Sequence, residues 1–270
     1  MEKSFSKKGN PVLARMNRYE DSTVGERASF KGIAAKSFYF LALILLGLAA
    51  FLYMHSYFGN QGYDAVEITE NYTIYANEMV IFTGATIATL IAGLIAAFAP
   101  RTTPVTGSIY CAGMGYAVTF ISYTYAAQVK GIVVEALLLT ILLIAVMAVL
   151  YFTGIVKVGS RFRTVTYTAL TATLIASVIF MLLRWIFPSS SIVKALVAVQ
   201  YGPLGIVFAF LGVALACLLV IDDFDHIVTT VNYGLSKKYE WTASYGLMIS
   251  IIYLYLRVLE LIFRFSQRNN

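Results

Sequence analysis

The chain has 270 residues, of which 59% are hydrophobic and 13% charged, with a mean hydropathy of +0.76. A soluble domain carries about 25% charged residues, so this composition excludes a water-facing globular surface and points to an integral membrane protein. The net charge of +6 comes from bases gathered in the N-terminal segment and short loops, a distribution that reports membrane topology and not nucleic-acid binding.

Residues 1–36 form a polar cytoplasmic segment with eight bases: Lys3, Lys7, Lys8, Arg15, Arg18, Arg27, Lys31 and Lys36. It is too long for the charged region of a signal peptide, and no small-x-small cleavage site follows the first apolar run. That run is therefore expected to remain as a helix. Apolar runs follow at about 37–56, 79–99, 106–128, 131–154, 164–187, 201–221 and 242–264. Each has about the 20 residues that cross some 30 Å of hydrocarbon, which predicts an all-α membrane domain of seven transmembrane helices over 37–265. Pro100 closes the second run, Pro104 precedes the third, Pro188 ends the fifth, and Gly202-Pro203 opens the sixth at a first-turn position suited to proline. The long connection 57–78 carries Asp64, Glu67, Glu70 and Glu78 and no Lys or Arg.

With the N-terminus in the cytoplasm, that side collects the leader with Arg101, Lys157, Arg161, Arg163, Lys237 and Lys238. The far side keeps Lys130, Lys194, Arg184, Arg264 and Arg268, so the base asymmetry favours this orientation. Trp185, Tyr201, Tyr239 and Trp241 near run ends suit an interfacial aromatic belt.

The third run spaces Gly107, Cys111, Gly115 and Thr119 by four, a small-residue stripe that suits close helix packing. Glu135 lies one turn inside the fourth run, at a depth that reaches toward the charges of the seventh. The fifth run is rich in threonine (Thr164, Thr166, Thr168, Thr171, Thr173), whose hydroxyls line water or bond their own backbone carbonyls. In the sixth run, stepping back from Asp223 at helical spacing meets Leu219, Ala216, Gly212, Ala209 and Gly205, a mostly small face. The walk back from Asp222 meets Leu218, Leu215 and Leu211, which suit lipid, so Asp222 and Asp225 are expected to form a peripheral acidic cluster reaching headgroups or water. His226 follows Asp223 by three residues, on nearly the same side. A carboxylate there binds a cation, senses protons, or is simply solvated at a helix end.

The seventh run alternates Ala243, Gly246, Ser250, Tyr253, Arg257, Glu260 and Arg264 by three and four, placing small and polar groups on one face and that helix at the centre of the bundle. Arg257 and Glu260 inside a span read either as a gate on a polar pathway or as a clamp that fixes helix register. These internal charges leave a re-entrant segment open as an alternative to a full crossing. Cys111 and Cys217 both sit in apolar runs, with no CxxC. Hydrolase, metalloprotease and P-loop signatures are missing, so an enzyme is not expected.

Asp222-Asp223-Phe224-Asp225-His226-Ile227, then Lys238-Tyr239-Glu240-Trp241 and Tyr253-Leu254-Tyr255-Leu256, resemble the Bax-inhibitor/YccA-like family. Residues 10–15 (Asn-Pro-Val-Leu-Ala-Arg), Gly131 to Val134 and Gly202 to Ile206 are similar to its bacterial long-leader branch. The resemblance implies seven helices with the last wrapped by the other six, in a bacterial cytoplasmic membrane. It also implies a pH-sensitive calcium leak controlled by two aspartates on the last two helices. Asp223 matches the first of these; the second position is Ser250 here, and Met114 stands where an acidic residue is expected. The expectation is thus a membrane cation leak, calcium- or proton-linked, closed when the sixth and seventh helices pack. Asp223, Ser250 and His226 would sense ions or protons, with Arg257, Glu260 and Glu135 as an intramembrane charge group. No cofactor is expected beyond calcium as permeant or bound ion. The alternative is a non-conducting interaction protein that modulates other membrane proteins, such as a membrane protease, through its basic leader.

Overall fold

The computed structural model describes residues 26–69 and 72–269. The leader through residue 25, with the stretch at 10–15, and Glu70 lie outside the described residues. Ser29 begins the first helix, α1 (Phe30–Gln61): its backbone is extended and its hydroxyl accepts the Gly32 N–H at 3.0 Å, covering one of the open donors of the first turn. Gly62 ends it in the left-handed conformation at φ 70°, where a side chain would be strained.

The acidic connection is not a plain loop. It forms a hairpin, β1 (Ala65–Thr69) antiparallel to β2 (Tyr72–Tyr75), with Val66 opposite Ile74. Ile74 anchors it, buried with Phe51, Tyr116 and Phe120. The chain then continues as α2 (Ala76–Phe98), a 3-10 turn (Pro100–Thr102), α3 (Thr103–Ala126), α4 (Ile132–Phe152), α5 (Ser160–Ile186), a short α6 (Ser191–Tyr201), α7 (Pro203–Asn232) and α8 (Tyr239–Asn269). Pro203 stands in the first turn of α7, as its missing N–H allows. Most of these helices start before or end after the apolar runs, because hydropathy marks the part bathed in lipid while backbone hydrogen bonds continue past it. The short α6 is apolar, but with 11 residues it falls below the length of a span and lies between the fifth and sixth runs.

Among the described residues six helices are both long and apolar enough to cross a membrane: α1, α2, α4, α5, α7 and α8. The helix α3 has the length, 24 residues, but not the hydropathy. Its glycines and hydroxyls face protein instead of lipid: Thr103, Thr106, Gly107, Cys111, Gly115 and Ser122 are all buried. A Cβ at Gly115 would collide with the Ile44 carbonyl, and one at Gly47 with the Ala112 carbonyl, so α1 and α3 meet backbone to backbone.

The helix α8 is the hub, unbroken over 31 residues and about 46 Å long, enough for a full crossing. It packs against α1, α3, α4 and α7. The largest core joins Ile132 and Ala136 of α4, Ala209, Val213, Ala216 and Val220 of α7, and Leu254, Val258 and Leu259 of α8. The other two long helices form an outer layer, α2 on α3 and α5 on α7, and the short α6 also packs on α7. In α5 none of the most apolar stretch is buried, against 44% in α7 and α8, so the wrapping of α8 is direct for four neighbours and indirect for two. At the start of the chain, residues 26–28 pair with the α7–α8 connection through Ala28 N–H to Leu235 O at 2.7 Å and Lys237 N–H to Glu26 O at 2.9 Å.

Candidate functional site

The helices α7 and α8 run antiparallel, and the small face of α7 is what lets them approach. Gly205, Ala209 and Ala216 are buried there. Asp223 extends this face about 14 Å from the end of α7. Its carboxylate meets α8 at Gly246, where an added Cβ would sit 3.0 Å from Oδ1, and at Ser250, whose hydroxyl interacts with it. The other oxygen, Oδ2, is buried and has no hydrogen-bond partner. Asp223 and Ser250 are thus brought together across the seam, at the two positions that the family resemblance singled out.

Asp222 and Asp225 stand differently from the expectation. They do not form a peripheral cluster in headgroups or water; Asp222 is itself buried. The Arg163 Nε donates to Asp222 Oδ1 at 2.9 Å, and its Nη2 donates to Asp225 Oδ2 at 2.6 Å. The Tyr167 hydroxyl donates to Asp222 Oδ2 at 2.7 Å and the Tyr151 hydroxyl to Asp225 Oδ1 at 3.1 Å. The first turns of α5 and the last turn of α4 cover that face of α7, so the leucine walk marked a protein contact for Leu215, which is buried, and a lipid contact only for exposed Leu211. His226 is not joined to Asp223: its Nδ1 lies 3.2 Å from the Thr230 hydroxyl, one turn along the same helix. Around it stand Asp222, Arg163 and Asp225.

The second charge group lies toward the other end of the seam. Arg257 Nη1 donates to Glu260 Oε2 at 3.0 Å, and Arg264 Nη2 donates to Glu260 Oε1 at 2.6 Å. Arg264 also donates to the Gln200 carbonyl, and the Arg257 guanidinium lies 5.0 Å from the Tyr253 ring centre. Gly212 makes room for the Arg257 side chain, since a Cβ there would lie 3.2 Å from its Cδ. Glu135 takes no part: it is exposed in the first turn of α4, and its Oε1 lies over Gly131. Its sequence depth matched that of Arg257, but its side points away from α8. In α5, Thr164 bonds Ser160 O at 2.9 Å, Thr171 bonds Tyr167 O at 2.7 Å and Thr173 bonds Ala169 O at 2.8 Å, while the buried Thr166 hydroxyl has no partner.

Two fully buried glutamates escaped the sequence reading. Glu240 opens α8 and accepts the Ser29 N–H at 2.8 Å and the Lys36 ammonium, fastening α8 to the start of α1. Glu78, three residues into α2, accepts the Tyr75 N–H at 3.0 Å and lies 2.7 Å from His55 Nδ1. A capping carboxylate three residues after a cap was a usable signal for Glu78, masked because the cap is Tyr75 and not Ser or Thr. Among the described residues no three His, Cys, Asp or Glu side chains converge as a metal-ligand set.

A family model described as Bax inhibitor 1 like matches residues 10–267. Neither the curated proteins nor the solved structures give a match.

Proposed function

The chain belongs to the Bax inhibitor 1 like family, and on that footing we propose that it is a pH-sensitive cation leak, permeable to calcium, governed by how α7 packs on α8. The observation that carries this reading is Asp223, a carboxylate held between the two most buried helices with one oxygen unpartnered. Ionisation places a charge in the seam, beside Asp222; protonation removes it and supplies a donor. Either change alters the contact with Gly246 and Ser250, and so the spacing of the seam. A buried carboxylate left half-satisfied is a poor structural clamp and a good proton-dependent one. Arg163 holds the two neighbouring acids and leaves Asp223 as the group free to respond.

At the far end, Arg257, Glu260 and Arg264 form the charge group that a cation meets in the same seam. The cationic excess there, two guanidiniums to one carboxylate, makes it a barrier to be parted and not a binding site. Purified protein in liposomes loaded with a calcium dye tests the reading across about pH 5 to 8. The leak predicts flux above empty liposomes that changes with pH. Folded protein with no flux at any pH would turn the assignment to a non-conducting partner of other membrane proteins. For that reading, residues 26–28, which follow the basic leader in sequence, are pinned to the α7–α8 connection.

A further inference from the structure

At the hairpin end of the bundle, on the opposite end of α1 from Ser29, a chain of polar side chains centred on a buried carboxylate is used by nothing described so far. His55 of α1 places Nδ1 2.7 Å from Glu78 Oε1 and Nε2 3.1 Å from the Tyr123 hydroxyl of α3. Glu78 is fully buried, and its other oxygen accepts the Tyr75 N–H at 3.0 Å, where β2 turns into α2. The imidazole is stacked on Phe51 at 5.8 Å and lies 5.5 Å from the Tyr75 ring and 4.8 Å from that of Tyr123. The titratable groups that face the pair are Tyr116 and Tyr123 from α3 and Tyr72 and Tyr75 from β2. No Lys or Arg occurs between residues 57 and 78. Among the described residues, the ion pair that Glu78 makes is with the His55 imidazole, when protonated.

We propose that Glu78, His55 and Tyr123 form a proton-operated latch that sets how firmly the hairpin is held on the bundle. With neutral His55, Nδ1–H donates to Glu78 and Nε2 accepts the Tyr123 hydroxyl, so every bond is made but Glu78 carries a buried negative charge. One proton added at Nε2 turns that nitrogen into a donor, rotates the Tyr123 hydroxyl hydrogen away and makes a neutral imidazolium–carboxylate pair. A second proton, on Glu78 Oε1, sets two donors against each other across 2.7 Å and leaves the imidazolium without its anion. The pair then parts. Because Glu78 also holds the first turn of α2 to the end of β2, parting it loosens Tyr75 and with it the strand that Ile74 anchors.

Amide hydrogen exchange of residues 65–75 in nanodiscs, divided by the intrinsic rate at each pH, is the test. From pH 8 down to 4 the wild type is expected to lose protection by about ten-fold in a single transition. Glu78→Gln should exchange fast at every pH, and His55→Gln should show no transition. Protection that stays flat in the wild type, or a transition that survives Glu78→Gln, overturns the latch. Should Glu78→Gln fail to fold, nitrogen-15 histidine labelling of His226→Gln isolates His55, since the chain has two histidines. The latch requires the His55 nitrogen shifts to report the imidazolium at a higher pH than that at which hairpin exchange rises, and exchange that rises while His55 is still neutral overturns it.

Discussion

Asp223 differs from Asp222 and Asp225 in what holds it. The neighbouring acids share one guanidinium and two phenols, while Asp223 has a serine hydroxyl on one side and no partner for its Oδ2. Removing the guanidinium with Arg163→Met should leave Asp222 and Asp225 uncompensated and lower stability by about 2–3 kcal/mol, below the roughly 3–5 kcal/mol of a fully buried broken pair because solvent screens the part-exposed Arg163. Thermal unfolding in detergent checks this. The exposed pair of Glu26 and Lys237 gives the opposite expectation. Lys237 holds the Glu26 carboxyl below its ordinary range, so any stabilisation is present above that range and is lost as pH falls through the lowered value. Both side chains face solvent, so Glu26→Gln should leave unfolding unchanged at physiological salt. The side of the helix that Asp223 occupies was legible in its small-residue face. The surroundings of Asp222 were not, because Arg163 lies 59 residues away and spacing along one helix says nothing about a partner on another.

Elements that looked alike in hydropathy play different parts. The helix α3 lacks the strongly apolar stretch of the other long helices because α1, α2 and α8 cover it, and its glycines are there for contact. Gly115→Leu drives a side chain into the Ile44 carbonyl, a backbone group with no rotamer to move. Overpacking ordinarily costs about 1–3 kcal/mol, and this site should reach the top of that range, read as a lower unfolding temperature and loss of monodisperse protein. The same spacing was visible in the sequence as a stripe, and its meaning was close packing. By contrast α5 leans on the bundle through its first turns, and its Thr164, Thr171 and Thr173 hydroxyls bond carbonyls of their own helix. The hairpin was missed because the acids between 57 and 78 suggested an ordinary water-exposed loop. The alternation of Val66, Ile68, Tyr72 and Ile74 carried the strand signal.

Across the whole molecule, one seam joins the features that matter. It runs between α7 and α8, with Asp223 near the α7–α8 connection, an apolar centre of Ala209, Ala216, Leu254 and Val258, and the Arg257–Glu260–Arg264 group toward the other end. Neutralising the central carboxylate with Glu260→Gln leaves two guanidiniums facing each other. It should cost about 3 kcal/mol in stability and, where the protein survives, change the flux. Membrane class and the central last helix followed from composition and from the polar face at 243–264. What crosses the seam depends on contacts between helices, beyond the reach of periodicity. The most direct test is the reactivity of Ser250→Cys toward a charged thiol reagent, in a background where buried Cys111 and Cys217 are replaced by alanine. If cations pass beside Asp223, the labelling rate should follow calcium flux across about pH 5 to 8 and lose its pH dependence in Asp223→Asn. An introduced thiol that stays unreactive at a pH where flux is measured would place the pathway elsewhere and contradict the account.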